Sequence, residues 1–412
     1  MTQVIPEQNA NPNTAQLNAQ FTTNHTELTA ALKAMEMAVP ARPPHPLLGC
    51  VLLRSHEQGA TLSGFDYEVA VTVELPAQST APGASLLHYS ELAKSLKAVA
   101  TGETKATAAR MPVTLTGDML STPELALPMA SEDVTEYPTP FPPVPATMNV
   151  DAAALLAQLT RVLPAAGTDD TLPTLTGVQF TITQHLELAS TDRYRFAVAQ
   201  LPVTHHGSHP DNPVTANIHG GTLKALCSHL KTTSGPVRIG VANDAHDHRV
   251  TFILDTITIT TRTLEGELPK YAKLFPDTYA ATLGVDRAAL LRAVRKVKAL
   301  MGAKNQRNSP AVLRLDDTGD ATLCPSLYEG HDQDRVKGMQ VTIKPAAGST
   351  EPGTVALNPD FLTDGLNTLT TDTVYLHLPH MTDGRVVKPL LLTEGPDATD
   401  TDYRYLLMPV RL

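Results

Sequence analysis

The sequence predicts an α+β protein in which one helix-and-strand unit recurs three times, and three observations lead there. The chain has 412 residues, enough for two to four domains at roughly 100–200 residues each. Two helix-like segments recur in register along it. Between them lie short alternating runs of Val, Leu, Thr and Ile bounded by Gly and Pro, the pattern of half-buried strands.

The first helical segment begins at Glu27-Leu28-Thr29-Ala30-Ala31-Leu32. It returns as Ala154-Leu155-Leu156-Ala157-Gln158-Leu159 and as Ala289-Leu290-Leu291-Arg292-Ala293-Val294, with steps of 127 residues (Leu28 to Leu155) and 135 residues (Leu155 to Leu290). The second segment covers residues 89–96, 221–226 and 359–366, with Leu92 and Leu223 131 apart and Leu223 and Leu362 139 apart. Matched strand pairs are expected at 47–53 with 60–65 and at 175–182 with 186–190, where Gly49 and Gly177 are 128 apart and Asp66 and Asp192 126 apart. Each unit reads as helix, several strands, helix, then more strands. The expected boundaries are a disordered tail over 1–20 and domains over 21–146, 147–278 and 279–412. Pro138-Thr139-Pro140-Phe141-Pro142-Pro143-Val144-Pro145 reads as a stiff linker, and Leu274-Phe275-Pro276 leads into the third unit.

Composition narrows the class. Lys plus Arg total 32 against 42 Asp plus Glu, a formal charge of -10, and 42% of residues are hydrophobic, as expected of a soluble globular protein. Aromatics are 4% and Trp is absent, so the cores are aliphatic. Cys50, Cys227 and Cys324 lie far apart without C-x-x-C spacing, which excludes a disulfide framework and a cysteine zinc site and fits the cytoplasm. No run approaches the ~20 apolar residues of a membrane span. The Asn/Gln/Thr/Pro-rich start lacks the basic and apolar regions of a signal or transit peptide.

The local chemistry points away from catalysis. His205-His206-Gly207-Ser208-His209 and His246-Asp247-His248 sit among Gly, Pro, Asn and Asp without the i, i+4 spacing that fixes metal ligands on one helix face, so solvated loops are expected. No nucleophile elbow, P-loop or dinucleotide fingerprint occurs. No catalytic residue, metal or cofactor is expected. The third unit's first helix is more informative. At 100° per residue, Leu290, Val294 and Val297 share one face while Arg292, Arg295 and Lys296 share the opposite one. Residues 286–304 hold six basic side chains and one acid, net +5, leaving -15 for the remainder. Such segregation suggests a surface for a polyanion; a plain solvated face is the alternative. No aromatic residues interleave the cations, so contacts to backbone phosphates are expected and base reading is not.

Several motifs together resemble the bacterial DNA polymerase III beta sliding clamp family. Leu172-Pro173-Thr174-Leu175-Thr176-Gly177-Val178, followed by Ala189-Ser190-Thr191-Asp192-Arg193-Tyr194-Arg195-Phe196-Ala197, is similar to the family's middle-domain strand pair with its Thr-Asp-Gly-x-Arg-Leu-Ala run. Arg262-Thr263-Leu264-Glu265-Gly266-Glu267-Leu268-Pro269-Lys270-Tyr271 resembles Arg-Leu-Ile-x-Gly-x-Phe-Pro-x-Tyr. The end, Tyr405-Leu406-Leu407-Met408-Pro409-Val410-Arg411-Leu412, resembles the family's Met-Pro-x-Arg-Leu terminus.

The resemblance implies three clamp domains per chain and a head-to-tail homodimeric ring around duplex DNA, with helices lining the hole and sheets outside. It implies a non-catalytic processivity factor for the replicative polymerase. Partners would be the DNA polymerase III alpha subunit, the clamp loader and other proteins with clamp-binding motifs, docking peptides between the second and third domains. Carried over by motif, that pocket would be lined by Leu175, Thr191, Arg193, Tyr194, Arg195, Phe196, Pro269, Lys273, Leu274, Asn358, Phe361, Val387, Pro389, Leu406, Leu407, Met408, Pro409 and Val410. DNA would face Arg42, Arg292, Arg295 and Lys296, and Ala299, Leu300 and Met301 would sit at the dimer junction. The chain departs from the family at Arg193, which replaces the small Gly, at Gly302-Ala303-Lys304-Asn305, and in its tail and His-rich loops. Arg193 is expected to obstruct peptides or cyclic peptide inhibitors; the alternative is outward pairing with an acid flanking the bound motif. A specialised second copy with an altered pocket, conferring resistance to a clamp-targeting inhibitor, is the variant reading. An enzyme of nucleic-acid metabolism and a scaffold away from replication are the rivals.

Overall fold

A computed structural model describes residues 18–243, 247–275, 278–306, 309–316, 321–326, 336–348, 352–399 and 402–411. The chain forms two compact units. One comprises the described part of Met1–Ala146 with Val237–Gly240 and Arg249–Arg262; the other comprises Thr147–Pro236, Val241–His248 and Thr263–Leu412.

In the first unit, helix α1 (His25–Met35) buries Leu28, Ala31, Leu32, Ala34 and Met35, which fall at i, i+3, i+4 and i+7 spacings along one side. Helix α2 (Tyr89–Val99) buries Leu92 and Leu96, and the short α3 (Lys105–Arg110) follows it. One antiparallel sheet orders strands Gln78–Ala81, Gln20–Asn24, Pro112–Thr116, Met119–Ser121 and Ala126–Pro128. A second runs through Gly83–His88, Cys50–His56, Gly59–Phe65 and Val69–Leu75 to Ile257–Arg262, whose Ile259 pairs with Val71.

The second unit carries two helix pairs, α4 (Ala152–Val162) with α5 (Gly220–Leu230) and α6 (Arg287–Ala303) with α7 (Pro359–Thr368). The aspartates before α4 and α6 cap them alike. Asp151 Oδ1 accepts from the Ala154 N–H at 2.8 Å and Asp286 Oδ1 from the Ala289 N–H at 2.6 Å. One nine-stranded antiparallel sheet joins the second and third repeats. Its seam is the pairing of Arg195–Pro202 with Tyr403–Leu407, in register Phe196 to Leu406 and Ala197 to Tyr405. The unit also holds a four-stranded sheet of Met339–Val341, Ala321–Pro325, Ala311–Leu315 and Gly353–Leu357, and the strand pair Met148–Val150 with Thr204–His205.

Three expectations change. The segments expected to start as strands at Leu47 and Leu175 open as 3-10 turns, Pro46–Gly49 and Pro173–Thr176, because a proline at the first turn presets φ. The proline-rich linker is packed: Phe141 lies edge-on to Phe65 at 5.0 Å, and the Val144 N–H donates to Thr251 Oγ1 at 2.8 Å. The end of the expected tail belongs to the fold, since Ala19 is buried and Gln20 opens the first strand. Positions 1–17, the loop residues Asp244 to His246, Pro276 and Leu412 lie outside the described residues.

Candidate binding site and cationic surface

The site begins at a turn. Strand His185–Thr191 ends at Asp192, whose Oδ1 accepts from the N–H groups of Tyr194 and Arg195, each at 3.0 Å. Thr191 Oγ1 accepts from the Arg193 N–H at 3.1 Å and donates to the Arg195 carbonyl at 2.7 Å. These bonds hold Arg193 at φ +80°, a left-handed conformation that favours glycine. Asp66 makes the same turn in the first repeat, with Tyr67 at φ +74°, so the 126-residue spacing of the two aspartates marks one recurring device.

Arg195 ties this turn to the third repeat. Its Nε donates to Asp192 Oδ2 at 2.9 Å and its guanidinium to Asp364 Oδ2 at 2.5 Å, and it lies 4.5 Å over the Phe361 ring. Phe361 is presented by α7. Asn358 Oδ1 caps that helix, accepting from the N–H groups of Asp360 and Phe361 at 2.8 and 3.3 Å. Tyr194 stacks on Phe361 with ring centroids 6.1 Å apart. Behind them Tyr405 is buried and donates to the Phe361 carbonyl at 3.1 Å; burial pushes its phenol well above the ordinary range, so it stays neutral. Close approach here requires Gly365, where a Cβ would lie 2.5 Å from the Tyr405 ring.

In front of the turn opens a cavity of about 290 Å³, lined by residues 166–169, Leu172, Leu175, residues 192–195 and Phe361. Of the expected lining, it brings together Leu175, Arg193, Tyr194, Arg195 and Phe361. Met408 adjoins it through its N–H, which donates to the Tyr194 carbonyl at 2.8 Å. Pro269, Lys273, Leu274, Val387 and Val410 are exposed, Pro389 and Pro409 half-buried, and Asn358 acts as the helix cap. Four expected lining residues are buried instead. Phe196 and Leu406 face a core cluster with Val198, Leu268, Phe275 and Leu391, because strand alternation turns them to the side of the sheet opposite Tyr405. Leu407 is buried as well, and Thr191 is held inside by the turn.

Sequence reasoning missed Asp192, Leu172 and residues 166–169 in the lining, and Asp364 behind it. Leu172 lay inside a motif already noted, and Asp364 stands three positions after Phe361 on the same helix face, a spacing that could have found it. Hydrogen bonds from the Thr171 hydroxyl and N–H, with the Arg193 charge, hold the Asp169 carboxyl below its usual range.

Helix α6 forms the second surface. Leu290, Ala293, Val294, Val297 and Met301 are buried, while Arg292, Arg295, Lys296, Lys298, Ala299 and Leu300 are exposed. Lys298 pairs with Asp360; Arg292 and Lys296 have no ion-pair partner among the described residues. Met301 therefore faces its own core, and of the three junction candidates only Ala299 and Leu300, the latter 58% exposed, present side chains outward. Arg42 is exposed in the first unit. Arg161, the middle repeat's counterpart cation, is consumed internally: it pairs with Glu394 at 2.9 Å and lies 3.9 Å over Tyr403. His205 sits in strand Thr204–His205 and His206 Nε2 bonds Asn149 Oδ1 at 2.8 Å. Among the described residues no three His, Cys, Asp or Glu side chains are grouped to hold a metal, and no helix is long and apolar enough to cross a membrane.

A repeated α+β framework with an apolar cleft and an exposed cationic helix face defines a binding protein of the sliding-clamp class. Comparison with known proteins agrees: the N-terminal domain of the DNA polymerase III beta subunit matches residues 19–138 and its central domain residues 149–270. The chain is 32% identical over 394 residues to the beta sliding clamp of Streptomyces coelicolor, covering 93% of this chain and 97% of that one. It is 29% identical over 395 residues to the beta sliding clamp homolog GriR of Streptomyces muensis, covering 95% and 99%. A crystal structure of the Pseudomonas aeruginosa sliding clamp bound to griselimycin superposes with a TM-score of 0.80 at 19% identity, covering 96% of this chain and all of that one. The chain belongs to the DNA polymerase III beta subunit, or beta sliding clamp, family.

Proposed function

We propose that this protein is a processivity clamp, a non-catalytic subunit that encircles duplex DNA and keeps the replicative DNA polymerase on its template. The observation that carries the reading beyond family membership is the division of α6. Arg292, Arg295 and Lys296 stand exposed opposite a buried apolar face, in a chain of net charge -10. Cations confined to one face attract phosphates without fixing a sequence, and an acidic remainder discourages binding elsewhere. A ring held by topology needs no tight grip.

In this reading the chain is divided as 21–146, 147–278 and 279–412, and two copies close head to tail in the cytoplasm. Exposed Leu300 and Ala299 support a junction at the end of α6, and the open edge strand Ala126–Pro128, next to exposed Leu125, supports another in the first domain. The cleft around Leu175, Tyr194 and Phe361 takes apolar peptide side chains from the DNA polymerase III alpha subunit, the clamp loader and repair proteins. Replacing Arg292, Arg295 and Lys296 together by Glu should cut clamp loading and processive synthesis about tenfold or more while the fold survives. Full activity of that variant across salt concentrations would overturn the cationic-lining account.

A second reading, a copy specialised to withstand a cyclic peptide inhibitor, is favoured by one observation: an arginine stands at φ +80° on the cleft rim. Similarity to a clamp homolog and to a clamp solved with griselimycin is compatible with it.

A further inference from the structure

Left-handed backbone at an arginine costs about 1–2 kcal/mol relative to glycine, as it does at Tyr67 in the first repeat; what sets Arg193 apart is the cavity beside it. The Arg193 side chain is exposed and lines the same cavity as Leu172, Leu175, Tyr194 and Phe361. The other charges at the cavity are already engaged. Arg195 is held by Asp192 and Asp364, and Asp169 Oδ1 accepts from the Thr171 hydroxyl and N–H. Arg193 has no carboxylate within ion-pair distance among the described residues. The cleft thus offers apolar anchoring surface, one cation that no carboxylate among the described residues pairs directly, and, on the loop before Leu172, Asp169, whose carboxyl feels the Arg193 charge without an ion pair to it.

Resting on the reading of this cleft as a peptide site, we propose that Arg193 is a specificity-determining residue that selects peptides carrying a carboxylate beside their apolar anchors. A guanidinium on a short, hydrogen-bonded turn has a fixed root. An acidic side chain of the ligand can meet it without entering the apolar floor, whereas a neutral ligand must displace water from the guanidinium with no compensating bond. Asp169 adds direction, because it repels the ligand's acid from its own side of the cleft.

The test uses the full-length protein, Arg193→Gly and Arg193→Lys, with hexapeptides bearing Leu and Phe anchors. One set carries a single Glu at each remaining position in turn, the other the matching Gln, and affinities are read by calorimetry. The natural protein should bind at least one Glu peptide about three- to fivefold tighter than its Gln counterpart, the range expected for an exposed ion pair. That preference should vanish in Arg193→Gly, persist in Arg193→Lys and shrink with added salt. Equal Glu-to-Gln ratios in the natural protein and Arg193→Gly at every position overturn the inference and leave the peptide site standing. Failure of every peptide to bind either protein overturns the peptide site itself, and the inference with it.

Discussion

His377 makes the stability of the second unit depend on pH in a way that can be worked out in advance. Its ring is fully buried between Thr282 Oγ1, 3.0 Å from Nδ1, and Thr393 Oγ1, 2.6 Å from Nε2. Thr393 donates its own proton to the Gly395 carbonyl at 2.6 Å, so it accepts from Nε2–H and leaves Nδ1 as the acceptor for the Thr282 hydroxyl. This is a neutral imidazole with both nitrogens satisfied. Burial pushes its pKa from 6.5 down to about 4. The unfolded chain therefore takes up a proton at a pH where the folded one does not. Stability is full above pH ~6.5, falls as pH drops through the window, and levels off below ~4. The span is about 3 kcal/mol, of which about 2 kcal/mol is lost by pH 5. Carboxylates with depressed values, such as Glu394 and Asp169, lose their contribution mainly below that window. Urea unfolding followed at fixed salt from pH 7.5 to 4.5 should show the decline, and His377→Gln should flatten it, whatever its own stability. An equal slope in the natural protein and His377→Gln would refute the reasoning.

Other perturbations follow from the same contacts. Gly365→Ala places a methyl against the Tyr405 ring and should cost about 1–3 kcal/mol by overpacking, with weaker peptide binding because Phe361 and Arg195 shift with α7; unchanged unfolding and affinity would contradict that packing. Leu300→Asp sets a charge on an exposed apolar position at the proposed dimer junction, and sedimentation should show a larger monomer fraction with the fold intact. Arg161→Ala leaves Glu394 without its cation and Tyr403 without its covering guanidinium, so denaturation should register about 2–4 kcal/mol of destabilisation.

Helix periodicity was the most readable feature of the chain. The segments that form α1, α4 and α6 recur at domain spacing, and α6 buries Leu290, Val294 and Val297, the face its periodicity predicts. The separation of Asp66 from Asp192 likewise marked two copies of one turn, although the positive φ after each aspartate depends on hydrogen bonds invisible in composition. The cleft was readable in part. Tyr194 and Phe361 are 167 positions apart, and their repeats meet through the pairing of Arg195–Pro202 with Tyr403–Leu407 and through the ion pairs of Arg195 with Asp364 and Arg161 with Glu394, none of which is local in sequence. That register also decides that Phe196 and Leu406 enter the core, and alternation cannot be assigned a side until the strand partner is known. Met301 was within reach: it continues the Val294, Val297 stripe by four positions, and α6 runs on to Ala303. Arg161 was not, since nothing local shows that Glu394 and Tyr403 fold against it.

The central claim is that the protein holds DNA by encircling it. The most direct measurement loads the labelled protein with clamp loader and ATP onto a nicked circular plasmid, passes the sample through a sizing column at high salt, and repeats this after cutting the circle once. Encirclement predicts that the protein co-elutes with the circle and is lost from the linear form, because salt screens phosphate contacts but cannot open a closed ring. Equal retention on circular and linear DNA, or loss from both at high salt, would contradict it.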